Sequence, residues 1–216
     1  MRYFLLFSFS LFILSACNPN DPSPLVDDKA QEIQVTYRVL ALGDSLTEGL
    51  GVAQKDNYPS QLQRLLPKHV EVINAGLSGE TSSGLLNRLD WVLKQKPDLT
   101  ILTIGANDAM RGLPLDLTKQ NIDDAIKRIE QSGSKVILAG MQIYDNLGSD
   151  YVTEFKEIYP QLAQKHQVVL IPFFLQHIAG DSKYNQNDGI HPTAAGYKII
   201  IEKNILPAVL PFLEHL

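Results

Sequence analysis

Five short apolar runs punctuate the chain, at residues 37–42, 70–74, 99–104, 135–139 and 168–171. Each is rich in Val, Ile or Leu and shows continuous apolar character rather than alternation. That is the pattern of strands buried on both faces. Between them the apolar residues fall at helical spacing. Residues 59–66 carry Leu62, Leu65 and Leu66, and residues 81–96 carry Leu85, Leu86, Leu89, Val92 and Leu93. Residues 117–131 carry Ile122, Ala125, Ile126 and Ile129. A weaker run spans 151–166, where Pro160 is expected to kink a helix or confine it to its first turns. Pro192 opens a last run that reaches about Leu206, with proline at a helix start.

Strand alternating with helix predicts an α/β fold in which a central five-stranded parallel sheet is covered by helices on both faces. In such sheets ligands bind outside the carboxyl ends of the strands. Three polar turns would meet at that edge. They are Gly43-Asp44-Ser45 after the first strand, Ala75-Gly76 after the second and Gly105-Ala106-Asn107-Asp108 after the third.

The N-terminus reads as an address. Arg2 precedes a mostly apolar stretch over 4–14, followed by Leu14-Ser15-Ala16-Cys17. Such a run is too short for a helix across a bilayer core and has the form of a secretory signal. It resembles the lipobox of bacterial lipoproteins, which implies cleavage before Cys17 and lipidation of that cysteine. Residues 1–16 are therefore expected to be a lipoprotein signal peptide. Residues 17–34, polar and proline-rich, are expected to be the lipidated cysteine and a flexible tether. Residues 35–216 form the single predicted domain. The expected location is a membrane anchor facing the periplasm. Asn18, in place of Asp, favours the outer membrane under the sorting pattern the lipobox implies.

Composition removes several function classes. The 216 residues carry a net charge of −5 and no basic run, so nucleic acid is not an expected partner. One cysteine permits no internal disulfide and no Cys-based zinc site. The five histidines show no metal-binding spacing, and neither a metal nor an organic cofactor is expected.

What remains is a candidate nucleophile. A serine hydroxyl needs a base to take its proton, and that base needs a carboxylate to orient it. Ser45 stands where the first strand ends. His191, unlike the other histidines, lies in a polar loop closed by Pro192, with Asp188 three residues before it and Gly189 between. A tight loop there brings the carboxylate beside the ring. Donors for a developing oxyanion are also at hand: the Ser45 N–H, the Gly76 N–H and the Asn107 amide. Each has a plainer reading, as a helix cap or a turn.

The motifs "GDSLTEG" at 43–49, "NAGLSGET" at 74–81, "GAND" at 105–108 and "DGIHP" at 188–192 resemble the four blocks of the SGNH (GDSL-type) hydrolases, in that order. The likeness runs over nearly the whole predicted domain and is strongest to the periplasmic thioesterase I and arylesterase branch. It implies a flavodoxin-like three-layer α/β/α sandwich. It also implies Ser45 as nucleophile, His191 as base, Asp188 as its orienter, and Ser45, Gly76 and Asn107 as oxyanion donors. The lipobox departs from the soluble periplasmic members. The expected activity is hydrolysis of acyl esters or thioesters, among them aryl esters and lysophospholipids, through an acyl-serine. Leu77, Leu113, Ile143, Tyr144 and Leu147 are candidates to line an acyl groove. The rival readings are a carbohydrate O-deacetylase, which needs a small polar pocket, and a non-catalytic lipid-binding lipoprotein.

Overall fold

In this computed structural model, residues 34–144, 147–214 and 216 are described. The predicted signal peptide and the tether up to residue 33, Cys17 included, lie outside the described residues. Strand β1 (Tyr37–Gly43) is followed by α1 (Ser45–Glu48), α2 (Tyr58–Leu65), β2 (Val70–Gly76) and α3 (Ser82–Val92). Then come β3 (Leu99–Thr103), α4 (Ala106–Met110), α5 (Leu115–Gln131) and β4 (Lys135–Ala139). The chain goes on through α6 (Ser149–His166), β5 (Val169–Ile171), α7 (Ala194–Ile200) and α8 (Leu206–Val209). The strands form one parallel sheet in the order β2-β1-β3-β4-β5.

The unbroken apolar runs of the inner strands β1, β3 and β4 are explained by burial on both faces. All five residues of β3 and Val39 to Leu42 of β1 are buried. Each large aliphatic side chain so covered contributes about 1.5–3 kcal/mol. On one side α3 packs on α5 and α5 on α6; α2 packs against α7 in the other helical group. The sheet lies between them.

The register aligns the strand ends. Gly43 pairs with Gly76 on one side and with Thr103 on the other, so the turns after β1, β2 and β3 leave the sheet at one edge. The chain comes into β1 at the opposite edge, where the Thr36 N–H bonds the His69 carbonyl. A Cβ on Gly43 would fall 2.1 Å from the Thr103 carbonyl oxygen, so only glycine lets β1 end this close to β3.

Two predicted elements differ from expectation. Pro160 does not interrupt α6, which runs the full 18 residues of Ser149–His166. Pro160 and Lys156, whose carbonyl loses its helical donor, both lie on the solvent side, where water can replace the missing bond. The last predicted helix widens into a π turn over Ile201–Ile205 before α8. Pro207 lacks the N–H that an α-helix would offer to the carbonyl four residues back.

Helices α5 and α6 are clasped by Asp123. Its carboxylate meets Lys127 Nζ at 2.6 Å on its own helix, and Lys165 Nζ and His166 Nε2 of α6, each at 2.7 Å. Burial pushes the Asp123 carboxyl up, but hydrogen bonds from Lys127, Lys165 and His166 outweigh it and hold it well below the usual range.

Candidate active site

Asp44 follows β1 and caps α1: its Oδ1 accepts the Leu46 N–H at 3.0 Å. The cap fixes Ser45 as the first residue of α1, largely buried, with its N–H free of any intrahelical acceptor. The loop before α7 supplies the other groups. Gly189, at φ 72°, allows the tight turn in which Asp188 Oδ1 accepts the backbone N–H of Ile190 and of His191, at 2.9 and 3.0 Å. Asp188 Oδ2 lies 2.7 Å from His191 Nδ1, and His191 Nε2 lies 2.8 Å from Ser45 Oγ. With its Nδ1–H given to the carboxylate, the ring presents a lone pair at Nε2 to the serine hydroxyl. Burial pushes the Asp188 carboxyl up, but the two backbone hydrogen bonds and the imidazole outweigh it and hold it at about 2. It is ionised throughout the neutral range.

Gln186 is a further residue of this loop, and it was not anticipated from the sequence. Its Nε2 donates to the Leu50 carbonyl at 2.7 Å and to the Pro192 carbonyl at 3.0 Å. The turn after the nucleophile is thereby tied to the loop that carries the base. Only the contact, not the residue type, shows this role.

Asn107 sits in the first turn of α4, 9% exposed. Gly105 occupies the cap position of α4, so Asn107 is not a helix cap. Its Nδ2 instead donates to Asp44 Oδ2 at 3.4 Å. Burial lifts the Asp44 carboxyl to about 7, with the Leu46 N–H and the charge of His191 acting against it.

Gly76 does not have the free N–H that an oxyanion donor needs. That N–H donates to Asn74 Oδ1 at 2.9 Å, and a Cβ on Gly76 would fall 2.0 Å from the Glu48 nitrogen. The glycine is required because the end of β2 packs against the backbone of α1. Three residues on, Gly79 stands at φ 76°, and its N–H has no partner among the described residues. Its carbonyl accepts from Arg111 Nη2 at 2.8 Å, which holds this turn against the end of α4. The two glycines follow one strand at short spacing, and sequence alone does not separate a packing glycine from one with a free N–H.

A cavity of about 510 Å³ adjoins these groups. Its wall includes Leu46, Ala106, Gly189 and Ile190, which are the chain neighbours of Ser45, Asn107, Asp188 and His191. The rest is mainly apolar, with Met110, Met141, Phe173 and Leu175 prominent. Of the five predicted lining residues, Ile143, Tyr144 and Leu147 are in the wall. Leu77 and Leu113 are not. Leu77 is half exposed in the turn after β2, and the Leu113 carbonyl is tied to the Tyr151 hydroxyl at 2.9 Å beyond α4. The Tyr144 hydroxyl donates to the Gly189 carbonyl at 2.8 Å, joining the wall to the Asp188–His191 loop.

A nucleophile, its base and an orienting acid in hydrogen-bonded series, beside buried amide donors and an apolar cavity, are equipped for acyl transfer. Residues 41–199 match the GDSL-like Lipase/Acylhydrolase family. The chain belongs to this family. It is 38% identical to an arylesterase of Vibrio mimicus over 163 residues, 74% of this chain and 82% of the relative. It is 31% identical to thioesterase 1/protease 1/lysophospholipase L1 of Escherichia coli K12, over 79% of this chain and 84% of the relative. The crystal structure of the psychrotrophic esterase EstA of Pseudoalteromonas sp., inhibited by monoethylphosphonate, superposes with a TM-score of 0.77 at 30% identity. It covers 82% of this chain and 99% of that one. As a GDSL-like acylhydrolase, the protein is an enzyme of ester and thioester hydrolysis on an α/β fold with a five-stranded parallel sheet.

Proposed function

We propose that this acylhydrolase cleaves carboxylic esters and thioesters of extended apolar acyl groups, including aryl esters and lysophospholipids, through an acyl-Ser45 intermediate. Ser45 Oγ attacks the carbonyl carbon as its proton passes to His191 Nε2. The imidazolium is stabilised by Asp188. The oxyanion takes hydrogen bonds from the Ser45 N–H, Asn107 Nδ2 and, in place of Gly76, the Gly79 N–H. His191 then returns the proton to the leaving alkoxide or thiolate. Water, activated by the same ring, cleaves the acyl-enzyme.

One observation carries this reading: the Ser45–His191–Asp188 series, at 2.8 and 2.7 Å, borders an apolar cavity. A deacetylase would need a small polar pocket, whereas this one is apolar and far larger than an acetyl group. A non-catalytic lipid carrier has no use for the whole series. The names of the relatives, an arylesterase and a thioesterase and lysophospholipase, support the substrate range.

The deciding experiment incubates the protein with a fluorophosphonate and with a panel of acyl esters and acyl thioesters of rising chain length. Covalent labelling that is lost in Ser45→Ala, and turnover that rises from acetyl to medium-chain substrates, are expected. Labelling that persists without Ser45 overturns the mechanism, and preference for acetylated carbohydrate overturns the substrate class.

We also propose that the enzyme is held on a membrane, facing the periplasm, through lipid on Cys17. The sequence pattern at 14–17 supports this. Two or more acyl chains give stable anchoring where one is marginal. Intact mass of the mature protein should show a diacylated or triacylated N-terminal cysteine, absent in Cys17→Ser; an unmodified mature chain removes the anchor.

A further inference from the structure

Asp44 is a buried acid that the reaction scheme does not use. It is 1% exposed, and among the described residues no lysine or arginine pairs with it. The charges that act on it are those of His191 and of Glu80, the latter paired with Arg88, and its own charge acts on the hydroxyls of Tyr58, Tyr159 and Tyr197. Burying a carboxylate in such surroundings is costly. Burial accordingly lifts it to about 7. Capping α1 does not explain the choice, because serine, threonine or asparagine cap a helix about as well without a charge.

The second oxygen does explain it. Oδ1 is committed to the Leu46 N–H, and Oδ2 accepts from Asn107 Nδ2 at 3.4 Å. Above about pH 7, where Asp44 is ionised, its carboxylate only accepts hydrogen bonds, whereas an amide has a donor end and an acceptor end. Only the nitrogen of Asn107 can therefore face Asp44. The two N–H bonds of that nitrogen diverge, so one can be spent on Asp44 while the other is left for a substrate oxygen. Turned over, the amide would set its own oxygen against the carboxylate and against the developing oxyanion. We infer that Asp44 is a positioning residue for the oxyanion hole, acting through Asn107 by fixing which end of its amide meets the reacting carbonyl.

The inference rests on Asn107 being an oxyanion donor as proposed above, and the test keeps the two apart. It is a double-mutant cycle of Asp44→Asn and Asn107→Ala, read as kcat and KM on one medium-chain ester at about pH 8.5, above the value of about 7 for Asp44. Asn107→Ala alone should lower kcat about 10²–10³-fold. Asp44→Asn keeps one acceptor oxygen for two donors and should lower kcat about 10- to 100-fold, the worth of a hydrogen bond to a charged group. KM should change less than threefold, because the effect arises in the transition state. Added to Asn107→Ala, Asp44→Asn should cost less than twofold. A similar loss with and without the Asn107 amide would assign Asp44 to holding Ser45 or the fold, and the inference falls. If Asn107→Ala itself leaves kcat intact, the oxyanion assignment fails first and takes this inference with it. Should Asp44→Asn not fold, Asp44→Ser serves in the same cycle: its hydroxyl can cap Leu46 but is too short to reach Asn107.

Discussion

Ser45 Oγ and His191 Nε2 lie 2.8 Å apart although 146 positions separate them in the chain. Their meeting depends on β1 and the loop before α7 converging at one edge, with Gln186 bridging the two segments. His191→Ala should lower kcat about 10²–10⁴-fold, the usual worth of a positioned base, with the fold intact. His191 has to be neutral to accept the proton, whereas Asp188, held at about 2, stays charged. Asp188 should therefore add no ionisation to the rate profile in the neutral range. Initial rates and circular dichroism on the same preparation check this; a variant with most of its turnover would move the base elsewhere.

Asp44 should set a pH dependence of stability. An unfolded aspartate titrates near about 3.9, whereas Asp44 in the fold sits at about 7. Between those values the folded state binds more protons than the unfolded one. The contribution of this group therefore falls as pH rises from about 4 to 7, and is flat above. Asp44→Asn removes that slope. The difference in Tm, variant minus wild type, should grow between pH 4.5 and 8 in thermal unfolding. Parallel curves would show that Asp44 does not titrate in that window.

Gly76 and Gly79 should respond in opposite ways. A methyl at Gly76 meets backbone of α1 at 2.0 Å, so Gly76→Ala should destabilise by about 1–3 kcal/mol or more. A methyl at Gly79 meets only Arg111 Nη2, at 3.7 Å, and the strain is that of a positive φ, about 1–2 kcal/mol. Its larger effect should be on kcat. Unfolding midpoints and kcat measured together decide the matter: a stable Gly76→Ala with lowered kcat would restore Gly76 as the donor.

Met110 lies at the rim of the cavity, 46% exposed. Met110→Trp should narrow the mouth, lowering kcat/KM for medium-chain esters while sparing an acetyl ester. Equal loss on both substrates would place the acyl chain outside this cavity.

Asp123 provides a control far from the chemistry. Asp123→Ala strips Lys165 and His166 of a shared partner, and should cost about 1–3 kcal/mol in denaturant unfolding. kcat should not change. A parallel loss of turnover would link the α5–α6 clasp to the site.

How much of this was legible beforehand varied with the physics of each element. The inner strands β1, β3 and β4 were legible because burial on both faces demands unbroken apolar runs, whereas β2 and β5, at the sheet edges, are only partly buried. Helix α6 was underrated because the cost of Pro160 depends on whether its turn faces water, which composition does not reveal. Asp188 and His191 were legible because three residues and a glycine suffice to bring them together. The choice between Gly76 and Gly79 was not, since it turns on which N–H Asn74 has already taken. The cavity wall was half legible: it is assembled from turns after several strands, and an exposed Leu77 looks the same in sequence as an enclosed Leu175.

The chain enters β1 beside His69 and reaches Ser45 only after the seven residues of that strand. At roughly 3.3 Å per residue the two edges of the sheet are about 23 Å apart. Residue 34 therefore stands at the edge opposite the cavity mouth. A bulky group coupled through the turns after β2 or β4 would crowd that mouth, whereas one coupled at residue 34 itself would stand a strand's length away from it.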